Sequence, residues 1–322
     1  MLKPIEWKEN NLVLIDQRKL PNDFIYFKCS SLDEVCYAIK NMVVRGAPAL
    51  GVVTAFGVYF GLIEGYDHKI IFEKLLQTRP TANSIKYVIS TMTDVNNPEN
   101  AITYALELLN IDIERNRKIG FFGKEIIKNR YNVITHCNAG ALATAGYGTA
   151  LGVLKAAHDD GINFFVYVDE TRPFFQGSRL TAYELLYEKI DFTIICDSAA
   201  SFIMKSMHVD VAIVGADRIT GNGDVINKIG TYGLAIAAKE HSVPFYVAAP
   251  TYTFDFSIDN GYDVPIEYRD ASEIKNLEDL LIAPIEAKAL NPSFDVTPAK
   301  FISGYITEEG IYSINDIYKM RR

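Results

Sequence analysis

The first 130 residues combine a short pair of apolar runs with a series of helical patterns. Apolar runs at residues 12–16 and 24–27 flank a Pro/Asn turn and predict a β-hairpin. Apolar positions with helical spacing follow over residues 32–43, 49–62, 73–77, 82–92 and 100–129. The 49–62 segment is apolar on nearly every face, so we expect this helix to be buried.

After residue 130 the pattern changes to apolar runs without polar alternation, separated by helical stretches. The runs occupy residues 131–135, 164–168, 192–196, 209–214 and 245–248. Runs of this kind are typical of parallel strands that are covered on both faces. Residues 302–306 and 310–311 are interpreted as a final strand, followed by a short helix. The prediction is an α/β protein in which residues 1–125 form a smaller, mostly helical N-terminal domain with the hairpin, and residues 126–322 form a Rossmann-like parallel sheet domain.

Polar side chains collect where these predicted strands end. The ends carry His136-Cys137-Asn138, Asp169-Glu170-Thr171-Arg172, Cys196-Asp197-Ser198, Asp217-Arg218 and Pro250-Thr251. Doubly wound sheets bind ligands at the carboxyl ends of their strands. The sequence therefore predicts a functional cleft at this edge, holding a thiol, carboxylates, an amide and a lysine.

Cys137 and Asp217 are the groups in this set best suited to proton transfer. We expect the Gly/Ala-rich segment after Asn138 to continue as a helix, which would place the Cys137 thiol at a helix N-terminus that favours negative charge. A buried structural cysteine is the alternative. Asp217 can donate or accept a proton if an apolar site raises its pKa. An ion pair with Arg218 or a helix N-cap is the alternative for Asp217.

Arg45-Gly46-Ala47 precedes the buried helix and has the features of an anion clamp. Glycine permits unusual backbone angles, and the N-terminus of a helix attracts anions. A simple pairing of Arg45 with a carboxylate remains the alternative. Arg79 lies at a second helix junction, beside a proline.

Composition and charge narrow the range of partners. The chain has 322 residues, of which 49% are hydrophobic and 22% charged, with a net charge of −8, so nucleic acid and anionic membranes are unfavourable partners. Four cysteines without C-x-x-C or zinc spacing predict no disulfide and no metal. The polar N-terminus and the lack of a long apolar run predict a cytoplasmic protein. The strand–helix turn lacks Gly-x-Gly-x-x-Gly, which argues against a nicotinamide-dependent dehydrogenase.

Several long motifs together resemble one family. They are MVVRGAPALG, ITHCNAGALATAGYGTALGV, VDETRPFFQG, VGADRITGNGDVINKIGTY and NPSFDVTP. Nearly the whole chain, from Ile5 to Ile302, is similar to the family of 5-substituted ribose-1-phosphate isomerases, which also includes regulatory subunits of a translation-factor exchange complex.

The resemblance implies specific roles for residues of this chain. It implies that Cys137 and Asp217 are the catalytic pair. It implies that the sugar phosphate is contacted by Arg45, Gly46, Ala47, Arg79, Gln176, Asn227 and Lys228. It also implies a homodimer that works without a cofactor.

The expected activity is that of an aldose–ketose isomerase. It would convert S-methyl-5-thio-ribose 1-phosphate to the corresponding ribulose 1-phosphate in methionine salvage. The alternatives are 5-deoxyribose 1-phosphate or ribose 1,5-bisphosphate as substrate, or a non-catalytic regulatory subunit of the same fold. We hypothesise proton transfer through Cys137 and Asp217, with a direct hydride shift as the competing mechanism. The hypothesis requires both side chains to meet in one cleft with the arginines.

Overall fold

A computed structural model describes residues 2–80, 82–277 and 280–320. The helices are α1 (Leu32–Lys40), α2 (Ala47–Ile63), α3 (His68–Thr78), α4 (Asn83–Thr91), α5 (Pro98–Gly123), α6 (Ala150–Asp159), α7 (Ala182–Glu188), α8 (Ala200–Ser206), α9 (Thr231–Glu240), α10 (Ser272–Lys275) and α11 (Ile314–Met320). The strands are β1 (Ile5–Lys8), β2 (Asn11–Ile15), β3 (Tyr26–Cys29), β4 (Asn132–Thr135), β5 (Phe165–Asp169), β6 (Phe192–Ile195), β7 (Val211–Val214), β8 (Arg218–Thr220), β9 (Val225–Lys228), β10 (Phe245–Ala248), β11 (Phe254–Asp255), β12 (Asn276–Leu277), β13 (Leu280–Leu281), β14 (Phe294–Thr297), β15 (Gly304–Thr307) and β16 (Gly310–Tyr312).

The N-terminal strands form an antiparallel sheet in the order β1-β2-β3. The predicted hairpin corresponds to β2 and β3, and β1 adds a third strand. Glu9 and Asn10 join β1 to β2 with φ values of 50° and 58°. Two consecutive positive φ angles are the geometry of a tight hairpin turn, and asparagine tolerates them well.

Helix α2 is the centre of the N-terminal core, as its all-round apolar sequence predicts. Its residues from Pro48 to Gly61 are buried. It packs against α1, α3, α4 and α5. The residues that form this core with α2 include Leu32, Val35, Ile39, Ile71, Leu75, Ile85, Val88, Ala101 and Ala105. Because α2 is held on all sides, the residues at its N-terminus have a fixed position.

The main sheet has the strand order β16-β15-β10-β7-β4-β5-β6, and only the β15–β16 pairing is antiparallel. Chain order runs outward from β4 in both directions, through β5 and β6 on one side and through β7, β10 and β15 on the other. This is the strand order of a doubly wound Rossmann sheet, so the predicted α/β class is confirmed. The order reverses between β4 and β7, and ligands of such sheets bind at this point.

A second sheet, in the order β11-β8-β9-β14, was not predicted. In this sheet β14 pairs antiparallel with β9 and places Asp295 opposite Asn227. The strands of this sheet are short and carry polar side chains at the cleft. Their sequences therefore lack the continuous apolar run by which a buried strand is recognised.

The predicted helix directly after Asn138 is also wrong. A single 3-10 turn, Ala141–Ala143, occupies this segment, and α6 begins only at Ala150. Gly140 and Gly148 form an isolated antiparallel bridge, and Gly148 has a φ of 95°. The glycines thus build a folded loop, and the Cys137 thiol does not lie at the N-terminus of a helix.

Helix α5 links the N-terminal helices to the main sheet by packing against α6 and β15. A Cβ atom on Gly120 would lie 2.8 Å from the carbonyl oxygen of Gly152, so glycine is required for the close approach of α5 and α6. The predicted boundary at residues 125 and 126 falls in the 3-10 turn Lys124–Ile126, and the division into two domains stays a prediction. Within the described ranges, the structure has no helix of the length and apolarity that a membrane span needs.

Candidate active site

A cleft lies where the strand order reverses, at the carboxyl ends of β4 and β7. It encloses about 800 Å³, counting its open mouth. The nine predicted site residues all line it: Arg45, Gly46, Ala47, Arg79, Cys137, Gln176, Asp217, Asn227 and Lys228. The structure therefore brings together residues separated by up to 183 positions, and their chemical roles stay predictions.

Cys137 follows β4 and is held by its backbone. Its φ is 62°, an unusual angle for a residue with a side chain. Its N–H donates to Thr171 Oγ1 at 2.8 Å, and its carbonyl accepts from Thr181 Oγ1 at 2.6 Å. Burial raises the pKa of the Cys137 thiol, while the charges of Arg45 and Lys228 act to lower this pKa. Two threonines thus fix a thiol whose protonation depends on nearby cations.

Asp217 follows β7, the strand that lies next to β4 in the main sheet. Its N–H donates to Ile226 O at 3.0 Å as the chain enters β8. Asp217 therefore does not cap a helix, and Arg218 forms an ion pair with Asp255 at 3.1 Å. Burial raises the pKa of Asp217, against the opposing charges of Lys228, Arg79 and Arg45. A carboxyl group in this setting holds a proton to higher pH than an exposed aspartate does.

Arg45 and the start of α2 form the anion-binding side of the cleft. Arg45 Nη1 and Nη2 donate to the backbone carbonyl of Asn138 at 3.1 and 2.7 Å, and Nη2 also donates to Asn138 Oδ1 at 2.7 Å. In these hydrogen bonds the Arg45 guanidinium binds a carbonyl and an amide oxygen, and not a carboxylate as in the alternative expected from the sequence. Gly46 is the N-cap of α2, and no side chain caps the helix there. The backbone N–H groups of the first turn are then available to an anion.

Glu184 holds the loop that follows Asn138, and the sequence patterns did not indicate this role. Its carboxylate accepts from the backbone N–H groups of Ala141 and Leu142 at 2.6 and 3.2 Å, and from Asn138 Nδ2 at 2.8 Å. Burial raises the pKa of Glu184, while these hydrogen bonds act to lower it. The carboxylate lies on α7 and its donors belong to the loop after β4, so spacing along the chain gave no signal.

Lys228 and Arg79 bring two further positive charges to the cleft. Lys228 Nζ donates to Ser293 O at 2.8 Å and lies 4.6 Å from the ring centroid of Phe294. Burial lowers the pKa of Lys228, and the charges of Cys137 and Asp217 act to raise it. Arg79 Nη2 lies 3.6 Å from Glu267 Oε2. Arg269 also lines the cleft, which therefore holds four arginine and lysine side chains around one thiol and one carboxyl group.

The residues His136, Asp169 and Asp197 form the cluster with the closest resemblance to a metal site. One ligand atom of each lies within 4.8 Å of the others. However, His136 Nδ1 and Asp169 Oδ2 bind each other at 2.9 Å, and Asp197 accepts from the backbone N–H groups of Thr171 and Arg172 at 2.7 and 2.8 Å. Asp169 Oδ1 has no hydrogen-bond donor among the described residues, but the other donors and acceptors of the cluster satisfy one another, so the arrangement favours a hydrogen-bonded ion pair over a metal site.

Comparisons with known proteins identify the family of this chain. A model of the Initiation factor 2 subunit family matches residues 43–313. The chain belongs to this family. It is 48% identical to the methylthioribose-1-phosphate isomerase of Sulfurihydrogenibium sp. (strain YO3AOP1), over 96% of this chain and 93% of that protein. It is 49% identical to the protein of the same name from Carboxydothermus hydrogenoformans, over 95% and 94% of the two chains.

Solved structures show the same fold over the full chain. The crystal structure of 5-methylthioribose 1-phosphate isomerase from Pyrococcus horikoshii OT3 superposes with a TM-score of 0.91 at 36% identity, covering 100% of this chain and 96% of that one. The translation initiation factor eIF-2B subunit delta from A. fulgidus gives a TM-score of 0.86 at 39% identity, covering 99% and 100%. The family resemblance predicted from the motifs is thus confirmed.

Proposed function

We propose that this protein is an aldose–ketose isomerase that converts S-methyl-5-thio-ribose 1-phosphate to S-methyl-5-thio-ribulose 1-phosphate, a step of methionine salvage. The observation that carries the proposal is the shared cleft of Cys137 and Asp217 at the point where the strand order reverses. The sequence identity to proteins named methylthioribose-1-phosphate isomerase supports it independently.

The cleft has separate features that suit the two ends of this substrate. The uncapped first turn of α2, with Arg45, Arg79 and Lys228 nearby, suits the phosphate on C1. Met42, Phe174 and Phe294 supply apolar surface in the same cleft. Apolar surface favours a methylthio group at C5 over a second phosphate, because a buried phosphate needs charged partners.

The sugar hydroxyls need polar partners, and Gln176 offers one. The side chain lines the cleft, and among the residues that the structure describes its buried Oε1 atom has no hydrogen-bond donor. Buried acceptors are rarely left unpaired. A hydroxyl group of the bound sugar supplies the missing donor in this proposal.

The reaction moves a hydrogen from C2 to C1 and opens the furanose ring. Asp217, whose pKa is raised by burial, donates a proton to the ring oxygen as the C1–O4 bond breaks. Cys137 in its thiolate form takes the proton from C2, which produces an enol phosphate. The C2 hydroxyl returns a proton to Asp217 as the ketone forms, and Cys137 delivers its proton to C1, so both groups end as they began. The nearby cations stabilise the negative charge on the thiolate.

Turnover assays test the assignment directly. The protein is incubated with methylthioribose 1-phosphate and, separately, with 5-deoxyribose 1-phosphate, and ketose formation is measured. We expect turnover of the methylthio sugar, and a loss of at least about a hundredfold in Cys137→Ser and Asp217→Asn. Cys196→Ser is the matched control, because Cys196 is an exposed thiol outside the cleft. Turnover at the wild-type rate in either cleft variant rules out the roles given to these residues.

Isotope incorporation separates proton transfer from a hydride shift. In deuterated water, proton transfer through an exchangeable thiol places solvent deuterium on C1 of the product. A direct hydride shift from C2 leaves C1 free of solvent deuterium. Complete absence of the label, measured by mass spectrometry of the ketose, contradicts the mechanism proposed here.

A non-catalytic regulatory subunit is the second candidate, favoured by the full-length similarity to eIF-2B subunit delta of A. fulgidus. That function predicts ligand binding without turnover, so the same assay distinguishes the two. We further propose a cytoplasmic homodimer. Light scattering is expected to give the mass of two chains of 36.0 kDa each, and a monomer mass contradicts this part of the proposal.

A further inference from the structure

His136 lies between Thr135 at the end of β4 and Cys137; it is one of the residues that line the cleft and is 1% exposed. Its ring Nδ1 lies 2.9 Å from Asp169 Oδ2, and its Nε2 lies 2.8 Å from the backbone carbonyl oxygen of Ile229. An ionised carboxylate and a carbonyl group can only accept hydrogen bonds. Both ring nitrogens therefore have to donate, and only the imidazolium form carries a proton on each of them.

The surroundings of His136 favour this positive charge. Asp169 belongs to β5, Asp197 follows β6, and Asp295 belongs to β14, so carboxylates from three elements surround the ring. Lys228, a cation, ends β9 directly before Ile229. Burial on its own lowers the pKa of His136 and raises the pKa of Asp169, so burial acts against the ion pair from both sides. The hydrogen bond and charge of Asp169, with the charge of Asp197, outweigh this effect and raise the pKa of His136 above its ordinary value.

The two hydrogen bonds of His136 join segments that carry cleft residues. Cys137 comes directly after His136, and Lys228 comes directly before Ile229. Gly230, with a φ of 103°, lies against the ring, and a Cβ atom there would be 2.8 Å from His136 Cε1. The β9–α9 loop thus packs on the imidazole ring, and the ring sets the separation between this loop and the end of β4.

We propose that His136 is a positioning residue. As an imidazolium held between Asp169 and Ile229, it fixes the β9–α9 loop, which follows Lys228, against the end of β4, which precedes Cys137. This role rests on the proposed function, in which Cys137 and Lys228 serve the reaction. The charge of Lys228 lowers the pKa of the Cys137 thiol, and it does so only while the loop stays in place. His136 therefore controls thiol reactivity through the position of Lys228.

Two amide replacements separate the two hydrogen bonds. In His136→Asn the side-chain nitrogen replaces Nδ1 and keeps the bond to Asp169, and in His136→Gln it replaces Nε2 and keeps the bond to Ile229. Asp169→Asn keeps both bonds with a neutral imidazole, since an amide donates to Nδ1 while Nε2–H donates to Ile229. The readouts are kcat, KM and the pH midpoint for alkylation of Cys137 by iodoacetamide, followed on the Cys137 peptide by mass spectrometry.

We expect His136→Asn to lower kcat about tenfold or more and to move the alkylation midpoint to higher pH. His136→Gln and Asp169→Asn are expected to keep the wild-type midpoint, with kcat within about threefold of wild type. A purely structural role would lower stability and leave the alkylation midpoint of the folded protein unchanged. An unchanged midpoint in His136→Asn, or equal shifts in all three variants, overturns the proposal.

A measurement on the unmodified protein keeps the proposal testable if the variants fail to fold. Proton–nitrogen NMR of protein labelled with ¹⁵N-histidine is expected to show two ring N–H groups for His136 at pH 7 to 8. A single protonated ring nitrogen overturns the proposal. If the wild-type protein shows no isomerase activity, the proposed function fails, whereas the NMR and alkylation results still report on the His136 contact.

Discussion

Arg45 donates three hydrogen bonds to one residue, Asn138, at distances between 2.7 and 3.1 Å. Arg45 precedes the buried helix α2, and Asn138 follows Cys137 at the end of β4. These contacts therefore join the anion-binding side of the cleft to the segment that carries the thiol. Only a guanidinium group has the forked geometry that reaches both oxygens of Asn138 at once.

Arg45→Lys is expected to lower kcat/KM about tenfold to a hundredfold while the protein stays folded. The variant keeps the positive charge, but an ammonium group cannot reproduce the fork, so the loop after β4 loses its orientation. Steady-state kinetics measure the effect. Arg117→Lys is the control, because Arg117 is a half-exposed residue on the outer face of α5, and it should stay within about twofold of wild type. Equal kinetics in the two variants would show that charge alone matters at position 45.

Gln176→Met is expected to raise KM about three- to tenfold without lowering the thermal midpoint of unfolding. The replacement has a similar shape but removes the buried Oε1 atom, which has no donor among the described parts of the chain. A polar group that serves only the fold would be paired, so its loss would destabilise the protein. For Gln176→Met we expect the opposite result: substrate binding weakens, and the stability of the fold stays the same. A lowered melting temperature with an unchanged KM contradicts the role given to Gln176.

Gly46→Ala and Gly65→Ala form a matched pair for the start of α2. Both glycines have positive φ angles, 95° and 78°. A Cβ atom on Gly46 would lie 2.3 Å from Ala143 O, whereas Gly65 has open space around it. We expect Gly65→Ala to lower the free energy of unfolding by about 1 kcal/mol, the strain of a left-handed alanine, with unchanged kinetics.

In Gly46→Ala the clash adds to the same strain, so we expect a loss of about 3 kcal/mol or more. The first turn of α2 must also move away from the loop at Ala143, which raises KM for the phosphorylated sugar. Urea unfolding and steady-state kinetics measure the two effects. If both glycine variants lose the same free energy of unfolding, the close packing of Gly46 on the loop does not contribute to stability.

The sequence allowed the sheet and the position of the cleft to be predicted from local patterns. Each main parallel strand is a continuous apolar run. The residues that follow such a run lie at the edge of the sheet where ligands bind. Cys137 and Asp217 were predicted as site residues because they follow two of these runs. Helix α2 was recognisable because it has no polar face at all. These features depend only on residues that are adjacent or one turn apart.

Features that depend on contacts between distant residues were not predictable in this way. Glu184 binds a loop more than forty positions earlier in the chain, and the ring of His136 contacts Ile229 at a separation of 93 positions. Strand β14 pairs with β9 although both carry polar residues. The loop after Asn138 was taken for a helix because its alanines favour helix, whereas Gly140 and Gly148 instead bring two backbone segments together.

Asp112→Asn is expected to stabilise the protein at neutral pH and to have no effect near pH 4. Asp112 is buried on α5, where it accepts from Ala145 N–H at 2.7 Å and from Asn116 Nδ2 at 3.1 Å and lies 3.4 Å from the Tyr252 hydroxyl. Burial raises the pKa of Asp112 to about 6, against the opposing hydrogen bond from Ala145. The folded state therefore binds this proton more tightly than the unfolded state does.

The sign of the effect follows from this difference in proton binding. The contribution of the proton is complete below the unfolded pKa and is lost as the pH rises through about 6, so the wild type loses about 2 to 3 kcal/mol between pH 4 and pH 7 from this group. Asparagine keeps an acceptor for Ala145 and Asn116 and places a donor toward Tyr252, with no charge to bury. Urea unfolding at pH 4, 6 and 8 should show the Asp112→Asn variant gaining about 2 to 3 kcal/mol over wild type only at the higher pH values. Asp94→Asn, at an exposed position, serves as the control, and a stability difference for Asp112→Asn that is independent of pH would contradict the proton linkage.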